Sequence, residues 1–184
     1  VVVVVAAAVL SDLPTHTSRA SDIQAETTVA GEIAGDVAPC VFAVREALTL
    51  YADETSGSLS AGNRAQIPGL LRDDQDACSL TDASIFALSD IEVPGTPAGK
   101  DMGQVVNTAT IWATSDALAA IEDIQALTSN PSDHKARAGL VAARGLLAED
   151  SAKVAAEIGA ADQALHTTLP GIGLTTKSVT GTSP

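Results

Sequence analysis

Two cysteines and a turn constrain this chain more than anything else in it. Cys40 and Cys78, its only cysteines, stand nineteen residues to either side of Leu59. Leu59 lies within Ser56-Gly57-Ser58-Leu59-Ser60-Ala61-Gly62, the clearest turn in the sequence. If the flanking segments are helices folded back on each other, both sulfurs sit at one height across a helical hairpin. A disulfide between Cys40 and Cys78 is therefore expected, and with it an oxidising compartment outside the cytoplasm. Two rival readings are a pair of buried free thiols, behaving as small apolar side chains, and a redox couple. No Cys-x-x-Cys spacing supports the second.

The flanking periodicity is helical. Val29, Ile33, Val37, Cys40, Val44, Leu48 and Tyr51 recur every three or four residues, predicting a helix from about Arg19 to Asp53. Pro39 within it should kink it, because proline removes a backbone donor and crowds the preceding turn. Ser60 is a plausible N-cap for a second helix from about Asn63 to Ser89, disturbed at Pro68-Gly69 and carrying Leu71, Cys78, Ile85 and Leu88 inward. Thr96 as N-cap with Pro97 at the first helical position opens a third helix, to about Leu127. Asn130-Pro131-Ser132-Asp133 starts a fourth, with Asn130 as cap, that ends before Pro170. The expected fold is all-α: an up-down-up-down antiparallel four-helix bundle over residues 14–170. Residues 171–184, rich in Gly, Thr and Ser, are expected to form a flexible tail.

Val1 to Leu10 is an unbroken apolar run. Ten helical residues reach about 15 Å, half a bilayer core, so residues 1–13 are expected to be a remnant of a transmembrane signal anchor. A signal-peptide core ending near Ala6-Ala7-Ala8 is the alternative. The bundle would then project on the extracytoplasmic side of the cell membrane, touching the membrane through residues 1–10. The formal charge of −13 opposes nucleic-acid binding, which needs Lys and Arg to neutralise phosphates. The same charge suits the solubility of an exported protein.

Residues that could carry chemistry are few. Only Phe42, Tyr51, Phe86 and Trp112 are aromatic, too few to wall an ordinary ligand pocket. No glutamate has His three residues later, and His16, His134 and His166 are far apart, so no metal or haem site is expected. Gly95-Thr96-Pro97-Ala98-Gly99-Lys100 lacks the spacing of a phosphate loop, and Asp101 follows the lysine. Asp74 lies three residues from Leu71 and four from Cys78, and Asp116 interrupts the third apolar stripe. Two such acids facing one layer could share a proton or hold a cation. The simpler expectation is a polar layer that sets helix register, with Asp73 and Asp76 solvated and Trp112 an interhelical anchor.

Three stretches carry a resemblance: Asp76-Ala77-Cys78-Ser79 through Ser84-Ile85-Phe86, Pro94 to Gly99, and Trp112-Ala113-Thr114-Ser115-Asp116-Ala117. With the Ala/Asp/Val-rich style they resemble exported, membrane-anchored helical-bundle proteins of actinobacterial cell envelopes without assigned function. The resemblance implies a fold and a compartment, and no catalytic residue or cofactor. Such proteins sometimes serve as accessory subunits of large membrane assemblies, respiratory ones included. The expected function is that of a non-enzymatic accessory subunit binding other membrane or envelope proteins. The alternative is an extracytoplasmic sensor or small-ligand-binding bundle using Asp74, Asp116 and Trp112.

Overall fold

A computed structural model of the chain describes residues 16–174, so the apolar run 1–10 and the tail beyond 174 lie outside the described residues. The described residues are all helical apart from turns and links, with no strand among them.

Helix α1 (His16–Ser56) buries the predicted stripe of Val29, Ile33, Val37, Cys40, Val44 and Leu48, widened by Ala30, Ala43 and Ala47. Pro39 leaves α1 unbroken. Pro39 and Gly35, whose carbonyl loses its helical donor, are both exposed, so water can satisfy the freed group. Thr27, Thr28, Thr49 and Thr55 turn their hydroxyls back onto carbonyls four residues earlier, which accommodates threonine on the solvent face.

The turn behaves as its sequence demands. Gly57 takes φ +72°, and Ser58 N–H closes onto Asp53 C=O at 3.0 Å, finishing α1. Ser60 caps as predicted, accepting from Asn63 N–H at 3.2 Å. The single second helix expected over 63–89 is instead broken into α2 (Ala61–Arg64), α3 (Ile67–Ala77), α4 (Ala83–Ala87) and a 3₁₀ turn (Leu88–Asp90). Two local causes act. Pro68 fits only the first turn of a helix, so α3 must begin beside it. Beyond Cys78, Ser79 and Asp82 bond neighbouring backbone groups, and Asp82 accepts from Ser84 N–H at 2.8 Å to start α4.

Thr96 caps α5 (Pro97–Ile111) by accepting from Gly99 N–H at 2.9 Å, with Pro97 opening the helix as expected. The expected third helix is α5, a π-helical segment (Trp112–Ala117) and α6 (Leu118–Ser129) in unbroken succession. The start of α7 (His134–Leu165) corrects the sequence-based cap. Asp133 accepts from Lys135 and Ala136 N–H, while Asn130 only turns the link by accepting from Ser132 N–H. Pro131 explains the shift, since the turn it sets delays helical geometry by three residues.

α7 closes at His166 in the left-handed conformation (φ 48°), and Asp162 Oδ1 accepts from Leu169 N–H at 2.7 Å. The chain then leads Leu169, Ile172 and Leu174 into the core, with 171–173 beside Ala34, Ala38 and Val41 of α1. Residues 171–174, placed at the start of the expected flexible tail, thus bury Ile172 and Leu174. The α5–α6 segment touches α1, α3 and α7 and lies at the centre of the packing.

Among the described residues, Arg19–Ser56 is the one helix long and apolar enough to cross a bilayer, by length and composition alone. Its stripe packs against the other helices and is crosslinked to α3, so core packing accounts for the same apolarity.

Candidate functional site

The crosslink organises the middle of the molecule. Cys40, halfway along α1, and Cys78, at the C-cap of α3, form a disulfide with Cα atoms 4.6 Å apart. Both residues are fully buried. Cys40 Sγ lies 3.9 Å from the Ala113 carbonyl oxygen, at the start of the π-segment. The crosslink therefore ties α1 and α3 together where the third helical segment departs from α geometry.

Trp112 opens that segment, fully buried, and its indole N–H donates to the Leu147 carbonyl of α7 at 3.2 Å. The same carbonyl accepts from Ser151 Oγ at 2.6 Å. Trp112 is thus an interhelical anchor with its polar edge satisfied, as expected of a buried indole. The π-helical turn rotates the residues that follow relative to an unbroken helix, and it sets Asp116, 4% exposed, against α7.

The two predicted aspartates are buried but are not brought together. Asp74 is 6% exposed, and its Oδ2 has no hydrogen-bond partner. Burial, then the charges of Glu46 on α1 and Asp73 beside it, push its carboxyl up to about 7. Asp116 is pushed up to about 6 by burial and the charge of Asp150 on α7. The Ser115 hydroxyl offsets part of that shift, while a carboxyl–carboxyl contact with Asp150 and the charge of Glu149 add to it. Each acid thus faces a different helix and a different acidic neighbour. Asp73 and Asp76 are exposed, as expected.

Sequence reasoning missed two further acids. Glu26 is fully buried on α1, and Thr96 Oγ1 donates to its Oε1 at 2.9 Å while capping α5. Its position three residues before Val29 and seven before Ile33 placed it on the apolar stripe, a signal that was available. Glu157 of α7 accepts from Thr108 Oγ1 of α5 at 3.2 Å, and burial raises its carboxyl although that hydrogen bond opposes the shift. No sequence signal links residues 49 apart on different helices.

A cleft of about 670 Å³ lies between one face of α1 and residues 87–94. Glu32 and Asp36 line it from α1 and Asp90 and Glu92 from the other wall, together with Val29 and Ile91. Its carboxylates suit it to positive charge. Among the described residues, no three His, Cys, Asp or Glu side chains gather in a metal-holding arrangement.

Comparison with known proteins finds no matching family model, no matching curated protein and no matching solved structure.

Proposed function

We propose that this chain is a non-enzymatic, membrane-anchored module on the extracytoplasmic side of a cell membrane, acting as an accessory subunit of a larger membrane complex, such as a respiratory one. The observation that carries the proposal is where the scarce aromatic side chains go. Two of the four aromatics are on the surface, Phe42 at 64% and Phe86 at 57% exposure. Exposed aromatic side chains are enriched where proteins meet other proteins. The disulfide supports an oxidising compartment, and the apolar run Val1–Leu10 supports an anchor.

The architecture proposed with this function is an up-down-up-down four-helix bundle, with α2, α3 and α4 making up the second, broken rod. Pairs between helices support it. Glu26 meets Thr96 and Cys40 approaches Ala113, so α1 and the α5–α6 segment ascend together. Thr108 meets Glu157 and Trp112 meets Leu147, so α7 descends beside α5–α6.

Purification of the tagged full chain from detergent-solubilised membranes tests the function. A Phe42→Ser/Phe86→Ser variant should fold normally, with stability within about 0.5 kcal/mol of the parent, and lose the co-purifying protein. Recovery of the parent chain alone in repeated preparations would overturn the proposal.

One observation favours a second function, small-ligand binding or sensing: the 670 Å³ cleft, within the size range of ligand sites. A thermal shift with small cationic compounds, abolished by Glu32→Gln/Asp36→Asn, would favour that alternative.

A further inference from the structure

Two aspartates of this protein are enclosed where helices pack, each within reach of acidic charge from another helix. On α3, Asp74 is almost completely enclosed with Oδ2 unpartnered, and the charges acting on it are Glu46 across the interface on α1 and Asp73 on its own helix. α6 also packs on α3, and among the described residues the acids that raise Asp74 belong to α1 and α3. In the π-segment, Asp116 makes a carboxyl–carboxyl contact with Asp150 of α7, with Glu149 as the next charge. Among the described residues, the acids that raise Asp116 belong to α7, while α1, α5 and α6 also pack against its segment.

A carboxylate enclosed without a donor is costly, whereas the neutral acid is tolerated. Two carboxyls can hydrogen-bond each other only while at least one holds a proton. We propose that these two contacts make the packing of the helices proton-dependent: α3 closes on α1, and α7 on the π-segment, while Asp74 and Asp116 are protonated, and both contacts loosen when they ionise. The device is independent of what the protein docks to.

The sign follows from linkage. Both carboxyls hold protons in the folded chain to higher pH than the ordinary 3.8, at about 7 for Asp74 and about 6 for Asp116. Between the free and folded values the unfolded chain has already released protons that the folded chain retains. Stability therefore falls as pH rises through that window and levels off above it.

Urea unfolding of the full chain at pH 5 and pH 8, followed by Trp112 fluorescence, tests the proposal. Between those pH values the folded-to-unfolded ratio should fall about a hundred-fold more in the parent than in Asp74→Asn. Against Asp116→Asn the difference should be about ten-fold. Glu46→Gln, which leaves Asp74 in place, should also flatten the pH dependence and serves if Asp74→Asn does not fold. Hydrogen exchange at pH 8, corrected for the intrinsic rate, should be faster in 67–77 and 112–117 of the parent than in the variants. Equal pH dependence in parent, Asp74→Asn and Glu46→Gln would overturn the proposal, as would a pH response with no excess exchange in those two segments.

Discussion

Removing the crosslink is the perturbation whose size can be worked out most directly. Replacing both cysteines, Cys40→Ala with Cys78→Ala, opens a loop closed over 38 residues. In the chain-entropy picture that loop constrains the unfolded chain by about 13 cal/mol/K, or about 4 kcal/mol at 25 °C. The folded state loses little besides, because alanine keeps the buried positions apolar and leaves no polar group unpaired. Domains are typically stable by about 5–15 kcal/mol, so a large share depends on this bond. Trp112, the only tryptophan and fully buried, reports unfolding without a label. At an m-value of about 2 kcal/mol/M the urea midpoint should drop by about 2 M, and Tm by roughly 8–16 °C. The m-value should rise, since the unlinked unfolded chain is more expanded. A double variant within about 1 kcal/mol of the parent, at unchanged m, would refute the reasoning. It would mean that packing between α1 and α3 holds the hairpin without the bond.

Two smaller predictions follow from single contacts. Asp133→Ala removes both cap hydrogen bonds at the start of α7 and should cost about 1 kcal/mol, read as a lower urea midpoint, whereas Asn130→Ala should cost less. Gly99→Ala should destabilise by about 2 kcal/mol or more, because a Cβ there collides with the Pro94 carbonyl oxygen, a backbone atom that cannot swing aside; calorimetry showing an unchanged Tm would contradict this.

The legible parts of the fold were those set by short-range chemistry. The α1 stripe, the Ser60 cap and the Thr96-Pro97 start are written in residues a few positions apart, and the structure follows them. The cysteine pairing was legible for a different reason, since symmetry about a turn substitutes for long-range information. What escaped depends on competition between local alternatives or on distant partners. Ser79 and Asp82 break the second rod by bonding their own backbone, an outcome that apolar spacing at Cys78, Ile85 and Leu88 does not reveal. The π-segment is invisible to periodicity because one irregular turn barely disturbs a stripe. Of the candidate site, the burial of Asp74, Asp116 and Trp112 was readable from their positions on apolar faces. Their partners, Glu46, Asp150 and the Leu147 carbonyl, belong to other helices and needed the fold. Ile172 and Leu174 were hidden by the Gly and Thr around them.

The most direct test of the account is purification of the full chain from membranes of the cells that make it, in detergent and with free thiols blocked at lysis. Mass spectrometry of the product then reads both the state of Cys40 and Cys78 and the company the chain keeps. The account predicts an intact crosslink and a membrane protein recovered with the chain at a constant ratio. A solitary chain carrying two blocked thiols would contradict it.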